Sequence, residues 1–173
     1  MTPPLAAIAS HTPTWVWAVL AALVLLGLRQ LRTRDLSAAR VWLVPALVGA
    51  ASLVGALRGF AGAGEWLTGA AWIVGALLGF ASNKTLDLPR QVSANADGSF
   101  RVGGSVAPLL IFVGVFLLRY VVNVALAIQP ALAGNPTAAT FVAAAYGLTA
   151  GLLAARSRKI WATRRAPAAL VAA

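Results

Sequence analysis

The chain has 173 residues, of which 60% are hydrophobic and 10% are charged, and its mean hydropathy is +0.83. So few polar residues exclude a soluble globular domain of this length and indicate an integral membrane protein. The sequence contains no cysteine, which excludes disulfides and thiolate chemistry. The net charge of +10 falls mainly in short loops, where anionic lipid headgroups are the expected partners and nucleic acid is not.

Five apolar runs follow one another along the chain and predict five transmembrane helices. We place these spans at residues 15–31, 41–58, 66–82, 105–128 and 137–155, followed by a basic tail at 156–173. The first run is expected to be a retained helix and not a signal peptide, because its positive charges follow the apolar residues. The predicted fold is an all-α integral membrane protein, a five-helix bundle that forms one domain.

The one sizeable polar segment, residues 83–104, separates the third and fourth runs. Short alternating stretches flank Asp97-Gly98 within it, which is typical of a tight β-hairpin. We therefore predict a small hairpin on the cytoplasmic face, between helices 3 and 4.

Glycines recur at a spacing of four in three of the runs. A G-x-x-x-G pair removes side chains from one helix face and lets another backbone approach closely. We assign most of these pairs to packing inside the bundle and leave open a homodimer through one of them. The pairs are Gly55 and Gly59, Gly75 and Gly79, and Gly147 and Gly151.

The basic residues predict the orientation. In a five-span arrangement, all of the 14 Lys and Arg residues except Arg58 and Arg119 fall on one side of the membrane. Because cytoplasmic loops carry the excess of positive charge, we predict a bacterial inner-membrane protein with its N-terminus outside and its C-terminus in the cytoplasm. Four or six spans would divide the basic segments between the two faces.

Arg119 is the one charged residue deep inside an apolar run, and we take it as the centre of the bundle. A cation at the bilayer centre costs about 2.5 to 3.5 kcal/mol, so Arg119 must face protein or water. The functional interpretation is an outward-facing polar cavity that binds a small anionic or amphipathic ligand. The candidate ligand-binding residues are Arg119, Asn123, Arg58, Glu65, Tyr146 and His11.

The alternative interpretation is a sealed polar core in an accessory or assembly subunit of a larger membrane complex. Glu65 would then pair with Arg58 or Arg119, and the spare donors of Arg119 would bond to Asn123, Tyr146 and helix carbonyls. Two arginines in the outer half of the bundle share one carboxylate, which leaves one cation in need of an anion.

Catalytic and cofactor patterns are weak throughout the sequence. The apolar runs contain no carboxylate for a proton relay with Arg119, and the chain has no phosphate-binding loop or nucleophile elbow. His11 is the sole histidine, so a pair of histidine ligands within one chain is excluded. An interfacial histidine explains it more simply than a single axial haem ligand. We expect no cofactor and no metal, and an intramembrane enzyme is a distant third interpretation.

Two groups of short motifs carry a resemblance to a known family. They are His11-Thr-Pro-Thr-Trp15-Val-Trp17 leading into Gly27-Leu-Arg29-Gln30, and Asp97-Gly98 to Gly104-Ser105 ahead of the run that contains Arg119. With these motifs the chain resembles an uncharacterised family of small bacterial multi-spanning membrane proteins of unknown function. A likeness limited to the loop and the fourth run is to CcdC-like membrane proteins associated with cytochrome c biogenesis. The family resemblance implies no activity, but it marks His11, Trp15, Arg29 and Arg119 for testing.

Overall fold

The computed structural model describes residues 12–86, 92–95, 98–104 and 106–163 of the chain. Helices dominate these residues, and three short strands lie between them. The elements are α1 (Thr14–Arg29), β1 (Arg34–Leu36), α2 (Ala38–Gly59), α3 (Glu65–Leu86), β2 (Val92–Ala94), β3 (Phe100–Val102), α4 (Ala107–Ile128) and α5 (Pro136–Ala162). Two 3-10 turns, Ala61–Ala63 and Pro130–Gly134, join α2 to α3 and α4 to α5.

The predicted helical membrane architecture agrees with the described elements. The helices α2, α3, α4 and α5 contain the 4 segments that are long and apolar enough to cross a membrane. Helix α1 has 16 residues and therefore spans about 24 Å, against a hydrocarbon thickness of about 30 Å. A fifth crossing through α1 stays a prediction.

Helix α5 is longer than the span predicted within it. It has 27 residues and continues to Ala162, so the first residues of the predicted tail are helical. At its other end, the Asn135 side chain accepts hydrogen bonds from the main-chain N–H groups of Thr137 and Ala138, at 2.9 and 3.1 Å. Such a cap satisfies donors that have no partner in the first turn of a helix.

Helices α3 and α5 form the closest helix contact in the described structure. A methyl group added to any of four glycines in these helices would overlap a main-chain carbonyl oxygen of the other helix. The backbones touch because these positions lack side chains, which confirms internal packing for two of the three glycine pairs. The glycines are Gly75 and Gly79 of α3, and Gly147 and Gly151 of α5.

Helix α2 packs against α5 through a hydrogen bond that compensates for an internal proline. Pro45 has no N–H, so the carbonyl oxygen of Val41, four residues earlier, lacks its usual helical donor. The buried hydroxyl of Ser157 in α5 donates to this oxygen at 2.6 Å. Ser157 in α5 therefore supplies the hydrogen bond that Pro45 removes from α2.

A three-stranded antiparallel sheet covers one end of the bundle, in the order β1-β3-β2. The strands β2 and β3 are consistent with the predicted hairpin, whereas strand β1, in the basic loop after α1, was not predicted. Phe100 and Val102 of β3 are buried with Val41 and Ile160, and Trp161 lies 5.8 Å from Phe100 between ring centroids. The sheet therefore has its own small apolar core against the ends of α2 and α5.

The sheet and the turns define the two ends of the bundle. The sheet joins the α1–α2 connection, the α3–α4 connection and the C-terminal end of α5 at one end. At the opposite end the two 3-10 turns lie together, since a methyl group on Gly62 would be 3.2 Å from Cα of Gly134. This arrangement agrees with helices that alternate in direction.

Helix α4 lies between α1 and the three-helix group of α2, α3 and α5. Gly27 of α1 packs directly against Leu109 of α4, and the hydroxyls of Thr12 and Tyr120 lie 2.6 Å apart. On the other side, Leu118 and Val122 of α4 pack on a cluster built from α2, α3 and α5. Arg119 follows Leu118 directly, at this junction.

Candidate functional site

Arg119 lies near the middle of the candidate membrane span Leu109–Ile128. Its guanidinium carbon is 5.6 Å from the ring centroid of Tyr146 in α5. On the α2 side, a methyl group on Gly55 would lie 3.7 Å from Nη2 of Arg119. The guanidinium therefore lies among α2, α4 and α5, against protein, as the sequence predicts for this cation.

One nitrogen of this guanidinium is buried and has no hydrogen-bond partner in the part of the chain that the structure describes. This atom is Nη2 of Arg119. A buried donor without an acceptor costs about 1–3 kcal/mol, and more when the group is charged. The side chain as a whole is only partly buried, so the site is not sealed on every side.

Tyr146 forms the floor beneath the guanidinium. Its side chain is 4% exposed and belongs to a buried cluster with Ala56 of α2, Ala71 of α3 and Ala143 of α5. These alanines fix the ring position, and the face of an aromatic ring attracts a cation with about 0.5–2 kcal/mol, depending on desolvation. The structure thus brings together Arg119 and Tyr146, two of the candidate residues.

Asn123 lies one turn beyond Arg119 but does not contact the guanidinium. Its side-chain amide donates to the main-chain carbonyl oxygen of Arg119 at 2.8 Å, and the residue is exposed. This bond uses the asparagine within its own helix. The sealed-core interpretation expects the guanidinium of Arg119 to donate to Asn123. The described contacts of Asn123 do not include that bond.

The structure describes two of the three remaining candidates. Arg58, in the last turn of α2, and Glu65, in the first turn of α3, are both exposed. Among the described residues, the ion pair joins Asp35 to Arg101, and Glu65 forms none with Arg58 or Arg119. The structure therefore does not contain the pairing that the sealed-core interpretation expects, and that interpretation stays a prediction. His11 lies outside the described residues.

Gly55 is the site residue that the sequence interpretation missed. The G-x-x-x-G pattern assigned Gly55 to helix packing, and Gly59 of the same pair does lie near Leu126 of α4, at 3.4 Å from an added methyl group. Gly55 lies one turn before Gly59. Because it has no side chain, the backbone of α2 faces the guanidinium of Arg119 there. A small residue opposite an intramembrane arginine is the signal that would have identified it.

A second group of charges lies at the sheet end, outside the membrane-spanning helices. Arg34 donates through Nη2 to Oε1 of the buried Gln30 at 2.9 Å. Burial, together with the positive charge of Arg40, lowers the pKa of Arg34. The hydrogen bond from Arg101 lowers the pKa of Asp35, and Asp35 in turn raises the pKa of Arg101. These contacts join β1 to α1 and β3.

Metal ligation has no support in the described ranges, where no three His, Cys, Asp or Glu residues cluster. The fold and the site together define a class of protein: a small helical membrane protein with an arginine lodged between its candidate spans. The chain belongs to DUF6622, a family of unknown function, whose model matches residues 2–169. This confirms the resemblance to an uncharacterised family, while a bacterial origin and the CcdC-like relationship stay predictions. No curated protein and no solved structure matches the chain.

Proposed function

We propose that the protein is a non-enzymatic membrane module that binds or transports a small anionic or amphipathic ligand at Arg119. The observation that supports this proposal is the buried Nη2 of Arg119, which has no acceptor among the described residues. In a low-dielectric interior, an anionic oxygen would supply both the missing hydrogen bond and the missing charge.

The chemistry of the site favours a carboxylate or phosphate. The guanidinium is a planar fork whose parallel N–H groups match two oxygens of such an anion. Tyr146 holds the guanidinium against its ring, and the neighbouring Leu118 and Val122 offer apolar surface. A ligand with an anionic group and an apolar portion would satisfy both parts of this environment.

The position of Arg119 along α4 supports access from the end of the bundle opposite the sheet. Within α4, Arg119 lies twelve residues after Ala107 and nine before Ile128, so it is somewhat closer to the end opposite the sheet. In the predicted orientation, the ligand would therefore enter from outside the cell.

An accessory subunit of a larger membrane complex is the second candidate. The exposed apolar residues Leu110, Leu117 and Val121 of α4 would be its docking surface. The small-residue faces of α3 and α5 support this function less, because they pack against each other inside the bundle. Homodimerisation likewise stays a prediction.

The experiment is native mass spectrometry of the protein extracted gently from its own membrane. We expect a bound species on the natural chain and on the control Arg58→Leu, which removes one exposed arginine. Arg119→Leu is expected to lose that species while remaining monodisperse. Identical spectra for Arg119→Leu and the natural chain would contradict the proposal.

A second pair of variants keeps the arginine and fills the space beside it. Gly55→Leu places a side chain next to Nη2 and is expected to displace the bound species. Gly114→Leu is the matched control, because an added methyl group at Gly114 has nothing within 4 Å. Retention of the species by both variants would place it elsewhere on the protein.

A further inference from the structure

A lateral groove of about 460 Å³ lies between α2 and α3, away from Arg119. Small residues of α5 form its floor and larger apolar residues form its walls. Of its lining residues, Trp72 packs against the cluster that contains Tyr146, and the others are separate from the residues named at the Arg119 site. The floor is Ala150, Gly151 and Ala154; the walls include Trp42, Pro45, Trp72, Ile73, Leu77 and Phe80.

The groove exists because α3 and α5 touch closely while α2 stands apart from α3. Toward the bundle centre, Nε1 of the wall residue Trp72 donates to Oγ of Ser52 at 3.0 Å and joins α3 to α2. From there the groove runs along the first half of α2 toward the sheet end. Ala46 and Ala50 of α2 and Leu77 of α3 are exposed along it, so it opens sideways to the bilayer.

A cation stands at the sheet end of this groove. The guanidinium carbon of Arg158 is 5.0 Å from the ring centroid of Phe80, which is also a groove wall. Arg158 follows Ala154 by four residues and Gly151 by seven, so it shares the helix face that forms the floor. The side chain is exposed and can turn toward a ligand in the groove.

The length of α5 supports a position of Arg158 at the depth of the lipid headgroups. Helix α5 has 27 residues and is about 40 Å long, which exceeds a hydrocarbon core of about 30 Å by roughly two turns. Arg158 lies in its last two turns. On the opposite wall, Trp42 packs edge-on against Trp161 at 6.5 Å, and tryptophans typically mark this interface.

We propose that this groove binds one acyl chain of an anionic glycerophospholipid whose phosphate pairs with Arg158. An apolar lining does not hold water, and the volume falls within the range of known ligand pockets. The groove is apolar along its length and has a cation, Arg158, at its sheet end. These two features match the acyl chain and the phosphate of such a lipid. This site is independent of the ligand proposed at Arg119.

The test is native mass spectrometry of the full chain released from nanodiscs that contain equal amounts of palmitoyl-oleoyl phosphatidylglycerol and phosphatidylcholine. We expect one strongly retained lipid with a preference for phosphatidylglycerol. Arg158→Gln is expected to reduce that preference about five-fold, the effect of one basic residue near an anionic lipid. Arg32→Gln removes an exposed arginine at the same end and is expected to keep the preference.

Groove-filling variants test the acyl-chain half of the site. Ala50→Phe and Ala46→Phe fill the groove and are expected to lose the retained lipid with either headgroup. Ala51→Phe, an exposed position on α2 outside the groove, is expected to retain it. The proposal is overturned if Arg158→Gln and Arg32→Gln show the same preference, or if the filled variants hold the lipid as well as Ala51→Phe does. Arg119→Leu is expected to retain it, which separates this result from the test of the Arg119 site.

Discussion

The hydroxyl of Ser157 in α5 donates to the carbonyl oxygen of Val41 in α2 at 2.6 Å, replacing the donor that Pro45 cannot supply. Loss of this bond would leave the buried carbonyl oxygen of Val41 without a hydrogen-bond donor. We therefore expect Ser157→Ala to lower the free energy of unfolding by about 1–3 kcal/mol. Thermal or denaturant unfolding in detergent measures this change.

The proline provides the control for this prediction. Pro45→Ala restores a main-chain N–H that bonds to Val41 within α2. In that background, Ser157→Ala is expected to lower the free energy of unfolding by clearly less than it does in the natural chain. The two substitutions then show a coupling energy in a double-mutant cycle. Equal costs of Ser157→Ala in both backgrounds would show that the serine does not compensate for the proline.

The contact between α3 and α5 predicts a position-specific sensitivity to a single methyl group. Gly75→Ala and Gly151→Ala would each overlap a main-chain carbonyl oxygen and force the helices apart. Overpacking of this kind costs about 1–3 kcal/mol. We expect a lower melting temperature for both variants in detergent.

Gly69→Ala is the matched control on α3, because an added methyl group there has nothing within 4 Å. Alanine is a better helix former than glycine, so this variant is expected to match or slightly exceed the natural chain in stability. If Gly69→Ala and Gly75→Ala changed the melting temperature equally, the close approach of the two backbones would be refuted.

The pairing of Asp35 with Arg101 across β1 and β3 predicts a pH dependence. Because the hydrogen bond from Arg101 lowers the pKa of Asp35, the folded carboxyl titrates below the usual value of about 3.9. The pair then stabilises the sheet above about pH 4, and this contribution is lost as the pH falls through the lower folded pKa. Carbon NMR of the Asp35 carboxyl measures the titration. Arg101→Gln should return the pKa toward 3.9, and an unchanged titration would contradict the pairing.

Membrane topology is testable with single cysteines because the chain has none of its own. Ala39 is exposed near the sheet, and Ala131 is exposed in the turn between α4 and α5. We expect an impermeant maleimide to label Ala131→Cys in intact cells and to label Ala39→Cys only after permeabilisation. An N-terminal tag should be accessible from outside if α1 also spans. Labelling of both cysteines from the same side would contradict the orientation.

Local sequence patterns predicted much of the helical architecture but not which helices pair. The spacing of Gly75 and Gly79 indicates that a backbone approaches α3, yet it contains no information about whether the partner is α2 or α5. The same limit applies to Pro45, whose missing N–H predicts a need for an outside donor without naming Ser157. These partners depend on tertiary packing between segments distant in sequence.

The short sheet shows a second limit of prediction. The hairpin was predictable because its two strands are adjacent and flank Asp97-Gly98. Strand β1 has three residues in a basic loop, too few for an alternating pattern, and it pairs with a strand more than sixty residues away. In the site, the sequence predicted Arg119 and Tyr146 in one interior, but the exposed positions of Arg58 and Glu65 depend on where α2 ends and α3 begins.

The central claim is that Nη2 of Arg119 requires an anionic oxygen from outside this chain. An experimental structure of the protein purified gently into nanodiscs, at a resolution that shows side chains and bound molecules, tests it most directly. We predict density for a non-protein anion within about 2.7–3.2 Å of Nη2. A guanidinium whose donors all bond to oxygens of the chain itself, with no additional density beside it, would contradict the claim.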